Sequence, residues 1–231
     1  MYILSEDFAG YMDQLAAGAW ITIQLFLASF ALAFAFGVLI GIASLSRNIV
    51  VQVVWKVYAS AMMGVPSLLV IFLAYYGGAP ILQSVLGVGS FEVTPFAAGV
   101  FSLTIVYAAY IAELIQGAVR NLDRGQFEAA HSLGIKPLPM WMLVILPQVF
   151  RLALPGLVNI WMIVLKDTPL VSLAGLNDLV AISKIAAGAT QQPFVFFIVA
   201  AAFFIVFSWA TLRLSAILEA RLGRGIAKVN S

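Results

Sequence analysis

Along this chain the apolar positions run on for long stretches, without the alternation of a strand or the polar stripe of a water-facing helix. From Gln14 to Ser46 there is no charged side chain, and the hydrophobic centre lies between Trp20 and Leu45. A helix needs roughly 20 apolar residues to cross the hydrocarbon core of a bilayer, so this stretch predicts a first span. Val57 to Phe91 is also free of charge, but Gly77-Gly78-Ala79-Pro80 is expected to break it. That leaves a second span over about Lys56 to Tyr76, followed by a short interfacial piece. Thr94-Pro95 is a good N-cap and first-turn pair, opening a third span to about Ile115. Leu138 to Phe150 and Leu152 to Leu165 are each too short alone; they predict one span over about Leu152 to Leu173, with an apolar segment near the interface before it. Pro193 opens the last span, to about Leu214. The expectation is an all-α integral membrane protein with five transmembrane helices.

Composition supports a membrane protein and excludes other classes. Hydrophobic residues make up 63% of the chain and charged ones 10%, with a mean hydropathy of +1.06. Soluble domains carry about 25% charged residues, so a soluble enzyme and a disordered chain are both excluded. Of the 12 Lys and Arg, only Lys166 and Lys184 fall outside if the acidic N-terminus (Glu6, Asp7, Asp13) is outside. Arg47, Lys56, Arg120, Arg124, Lys136, Arg151 and the C-terminal Arg213, Arg221, Arg224 and Lys228 then lie inside, as the positive-inside rule requires. A sixth span would export that basic end, so the expected topology is N-terminus outside, C-terminus inside. The N-terminus lacks the positive region of a signal peptide. No basic cluster is dense enough for nucleic acid. With no Cys and the single His131, no disulfide, thiolate centre or histidine-ligated metal site is expected.

The stretch between the third and fourth spans, about residues 116–151, is patterned too regularly for a connector. Glu128-Ala129-Ala130 starts a short helical patch, Gly134 can end it in a left-handed conformation, and Pro137 and Pro139 turn the chain. A second apolar helical piece is expected to end at Leu146-Pro147. The expected form is a helix–turn–helix on the membrane surface, whose small Ala pair admits a partner and whose Glu128 offers a charge for docking.

These residues at this spacing resemble the EAA signature of permease subunits in ATP-binding-cassette importers, with Val144 where Ile is usual. Gly64-Val65-Pro66, preceded by Met63 in place of the usual Arg, is similar to the second-span motif of polar amino-acid permeases. Tyr107 to Glu113 and Leu165 to Ser172 resemble segments of the same group, nearest to the histidine/lysine/arginine/ornithine and opine permeases. The resemblance covers about Gly18 to Leu222. It implies the type I importer permease fold: residues 1–17 as a periplasmic N-terminal segment, 18–222 as the transmembrane domain, 116–151 as its cytoplasmic coupling loop and 223–231 as a cytoplasmic tail.

The same resemblance implies partners. A periplasmic solute-binding protein delivers the solute, a second permease subunit completes the pore, and a cytoplasmic ATPase dimer docks on Glu128, Ala129, Ala130, Gly134, Leu146 and Pro147. The location implied is the bacterial inner membrane, in contact with lipid, and the solute a polar amino acid, in the first place a basic one, or an opine. No phosphate-binding G-x-x-x-x-G-K-[ST] loop is present, so this chain is expected to be no enzyme and to hold no cofactor, ATP and Mg being bound by the partner ATPase.

Other residues are open to both structural and functional readings. Ala33, Gly37 and Gly41 recur at four-residue spacing on one face, as in a close helix–helix seam. Asn159, Trp161, Lys166 and Thr168 are candidates to face the translocation path, with Lys166 and Asp167 alternatively paired to each other. Glu113 is expected to pair with Arg120. No carboxylate lies between Leu152 and Leu165, which suggests that the second permease subunit supplies an anionic contact and leans towards a related, non-identical chain. The segment from Ser172 to Ala189 is read as an external amphipathic helix. A self-contained secondary transporter or channel is the alternative, but such proteins often show internal repeats and intramembrane charges, and neither is evident. An intramembrane protease would need catalytic pairs that the spans do not supply.

Overall fold

The computed structural model describes residues 6–86 and 92–222, so the expected tail at 223–231 lies outside the described residues. The described chain is helical: α1 (Glu6–Ala43), α2 (Ile49–Gly64), α3 (Ser67–Leu86), α4 (Pro95–Arg120), α5 (Arg124–Ser132), the single turn α6 (Pro137–Pro139), α7 (Leu146–Asp167), α8 (Leu179–Thr190) and α9 (Pro193–Leu222). Met140–Ile145 is a π-helix joining α6 to α7, and Thr168–Ala174 is a 3-10 turn continuing α7. Among the described residues four helical stretches are long and apolar enough to cross a membrane, or five if the bent pair α2–α3 counts as one.

α4 is the hub. Thr94 caps it by accepting from Ala97 N–H at 3.2 Å, and Pro95 opens it. Small residues bring its neighbours close. A Cβ on Gly37 of α1 would lie 2.6 Å from the Ile111 Cβ, and one on Gly41 would lie 3.0 Å from the Ala112 carbonyl oxygen. Gly99 and Gly156 make equally close approaches, to Val171 and Leu114. Lipid tails are as apolar as the side chains, so helix association rests on this kind of close packing. Two buried hydroxyls are satisfied within their own helices: Ser102 donates to the Ala98 carbonyl at 2.6 Å and Thr22 to the Gly18 carbonyl at 3.0 Å.

Three boundaries differ from the sequence expectation. The second span is two helices meeting at 101°, with the corner at Val65-Pro66. Proline disfavours the helical region for the residue before it, and Val65 is extended at φ −100°, ψ 132°. By contrast α3 runs through Gly77-Gly78-Ala79-Pro80 to Leu86. A proline within a membrane helix is tolerated where neighbouring groups re-satisfy the freed carbonyl. Leu146-Pro147 is likewise no helix end, since Pro137–Ala174 is one long helical stretch. The Pro147 ring would clash with a carbonyl of the preceding regular α turn, and the wider π turns of Met140–Ile145 lie where that clash would fall. The expected surface segment and fourth span are therefore one unit.

Candidate functional site

The patterned segment builds an exposed knuckle at one end of the bundle. Asp123 caps α5 by accepting from Gly125 N–H at 2.8 Å. Beyond Ser132, Gly134 adopts φ +68°. Its N–H donates to the His131 carbonyl at 2.9 Å, and Ile135 N–H donates to the Ala130 carbonyl at 3.1 Å. These two bonds form a Schellman stop, which favours glycine at the left-handed position. Ala130 is buried against the bundle, while Glu128, Ala129 and Gly134 are exposed. Phe127 packs edge-on against Trp141 with centroids 6.2 Å apart, and Gln148 donates to Gln126 at 3.0 Å, so α5 is held on the π-helix. Around it Leu133, Leu138 and Leu143 are 77%, 70% and 77% exposed, an apolar surface at the end of a bundle. Pro147 is exposed and Leu146 half-buried in the first turn of α7.

A second feature lies inside the bundle, at the corner between α2 and α3. A cavity of about 400 Å³ is lined by Gly64, Pro66 and Ser67 from the corner, Tyr107 and Tyr110 from α4, and Asp167 at the end of α7. Its size falls in the range of small-ligand sites, roughly 300–1,000 Å³. One oxygen of Asp167, Oδ2, accepts from Ser67 Oγ at 2.7 Å and from the Tyr107 hydroxyl at 2.5 Å. A carboxylate has about four lone-pair sites, so acceptor capacity remains for a ligand cation.

The tentative pathway residues do not come together. Trp161 sits edge-on against Phe26 and Phe30, at 4.5 and 4.7 Å between centroids, inside the α1–α7 packing. Thr168 is fully buried and donates to the Leu165 carbonyl at 2.8 Å. Asn159 and Lys166 are exposed, and Asp167 turns to Ser67 and Tyr107 instead of Lys166. Asp167 lies two positions beyond the carboxylate-free stretch that ends at Leu165. Among the described residues no ion pair joins Glu113 to Arg120; both are exposed and line a separate cavity. Of the proposed seam, Gly37 and Gly41 face α4, and Ala33 is fully buried. The external helix expected over Ser172 to Ala189 is a 3-10 turn followed by α8, capped by Asp178, which accepts from Ala181 N–H at 2.8 Å.

Comparison with known proteins gives one consistent answer. Residues 15–224 match the family described as binding-protein-dependent transport system inner membrane component. The chain is 38% identical to the nopaline transport system permease protein of Agrobacterium fabrum over 87% of each chain. It is 32% identical to the histidine/lysine/arginine/ornithine transport system permease protein of Escherichia coli, over 96% of this chain and 98% of that one. Among solved structures it superposes on a chain of an amino acid ABC transporter crystallised with histidines, with a TM-score of 0.81 and 28% identity, covering 93% of this chain and 96% of that chain.

Proposed function

The chain belongs to the family of binding-protein-dependent transport system inner membrane components, and from that premise we propose that it is the permease subunit of an ATP-driven importer for a basic amino acid or an opine. It works in a bacterial inner membrane with its N-terminus outside and its C-terminus inside. A periplasmic binding protein hands the solute to a pore made with a second permease, and two ATPase chains, which hold the ATP and Mg, drive the cycle from the cytoplasm. The observation that carries this reading is the exposed α5 knuckle. Glu128, Ala129 and Gly134 stand out from a helix whose other side is locked onto the bundle, so force applied to α5 is transmitted directly to α7. Leu146 and Pro147 lie at the joint.

The solute class rests on two supports. The relatives carry nopaline or cationic amino acids by name, and the corner cavity holds a carboxylate. Asp167, positioned by Ser67 and Tyr107, offers its free oxygen to a guanidinium or ammonium group. Because this anion is supplied by the chain itself, the sequence argument for a non-identical second permease loses its premise.

Tagged protein purified from native membranes in mild detergent tests the assembly, with mass spectrometry of the chains recovered. An ATPase and one or two permease species are expected. Accumulation of arginine in liposomes by the purified chain alone under an ion gradient would favour the secondary-transporter alternative and overturn this reading.

A further inference from the structure

The polar cavity shared by Glu113 and Arg120 has no lining residue in common with the corner cavity. It opens at Ser44, just past the end of α1, and where α4 approaches its own end, has a volume of about 480 Å³, and is walled by Gln52, Lys56 and Ser60 of α2. Gln116 fixes the α1–α4 side by donating to Ser44 Oγ at 2.7 Å. Trp55, 7% exposed, closes the inner wall with Ala59. The three charged side chains remain exposed, and among the described residues none of them is ion-paired. On its other faces α2 exposes Val50, Val53, Val54 and Val57, each more than half accessible. An apolar groove lined by Phe36, Ile40, Val54 and Phe101 shares Ser44 and Trp55 with the polar cavity.

A polar cavity at the ends of two spans, bordered by a lipid-facing apolar groove, fits an amphiphile lying in the bilayer. We propose that it binds the headgroup of an anionic phospholipid of the phosphatidylglycerol kind. Lys56 and Arg120 set against Glu113 leave one positive charge, which a phosphodiester monoanion balances. The ammonium and guanidinium donate to the phosphate oxygens. Glu113 as a carboxylate can only accept, and the glycerol hydroxyls of the head give it donors. The acyl chains lie over the valine face of α2 and its groove. Basic pockets between membrane helices bind acidic headgroups in this manner. The proposal is independent of which solute is carried.

The intact transporter, purified from membranes in mild detergent, is analysed for bound lipid by native mass spectrometry. Wild type retains phosphatidylglycerol, as does R47Q, which removes an exposed charge outside the cavity. K56R/R120K also retains it, and K56Q/R120Q loses it. Undiminished phosphatidylglycerol in K56Q/R120Q overturns the proposal. A second readout does not depend on that variant assembling. The thermal midpoint of wild type rises in nanodiscs of phosphatidylglycerol relative to nanodiscs of phosphatidylcholine. Equal midpoints overturn the proposal. A rise produced in phosphatidylcholine nanodiscs by inorganic phosphate alone also overturns it, by making the site one for a free anion.

Discussion

The α5 knuckle and the corner cavity are built in opposite ways. The knuckle is contiguous: cap, helix, left-handed glycine and exposed apolar surface follow one another from Asp123 to Leu143. The cavity is assembled from three distant stretches, around Gly64–Ser67, Tyr107–Tyr110 and Asp167. The first is stiffened by local hydrogen bonds and ring packing, the second by a tertiary network centred on one carboxylate oxygen. On the proposed function, a local device can be damaged without disturbing the corner cavity, and the tertiary one without disturbing the knuckle.

The largest effect is expected at the knuckle. Gly134→Val places a β-branched residue at φ +68°, where the left-handed conformation costs roughly 1–2 kcal/mol, and it removes the stop that aims α5. With Glu128→Lys added, ATP-dependent uptake in proteoliposomes should be lost while solute binding to the transporter persists. Loss of both together would merge the two regions.

Contiguity also decides what was legible in the sequence. The Glu128-Ala129-Ala130…Gly134 spacing and the long apolar runs could be read because each depends on neighbouring residues. The 101° corner was not read. Val65-Pro66 acts on two residues, whereas Gly77-Gly78-Ala79-Pro80 looked the stronger breaker and yet remains helical. Asp167 was expected beside Lys166, and its actual partners were not legible because Ser67 and Tyr107 lie 100 and 60 positions away. Leu146-Pro147 was read as an end because the sequence gives no sign that a π-helix would precede it.

At the cavity, Asp167→Asn keeps the size and removes the charge. Truncating one side of a buried charge pair costs about 2–5 kcal/mol, so the KM for a cationic solute should rise by roughly 30-fold or more, with basal ATP hydrolysis unchanged. Tyr107→Phe removes one hydrogen bond from the same oxygen. Losing one hydrogen bond to a charged group costs about 1.5–3 kcal/mol, part of which should fall on solute affinity, a smaller rise than with Asp167→Asn. Gly37→Val tests the scaffold beneath both regions. Overpacking a tight seam costs about 1–3 kcal/mol, and the thermal midpoint of the purified transporter should fall without selective loss of either function.

The smallest effect belongs to Asp178, between the 3-10 turn and α8. Burial pushes its carboxyl up from 3.8 to about 6, while the N–H groups of the cap pull it down. A carboxyl raised in the folded state holds its proton more tightly there than in the unfolded chain. Its contribution is therefore most favourable below its ordinary value and is lost as pH rises through about 6. Asp178→Asn keeps the Oδ1 acceptor for Ala181 and removes the charge. It should leave the midpoint at neutral pH equal or higher and flatten its slope between about pH 4 and 6.

The most direct measurement is arginine uptake at varied concentration in proteoliposomes holding the complete transporter, its binding protein and internal ATP, comparing wild type with Asp167→Asn. The account predicts a raised KM at the same basal ATPase rate, with the defect reduced for a neutral solute. An unchanged KM, or a fall in basal ATPase equal to the fall in uptake, would contradict it.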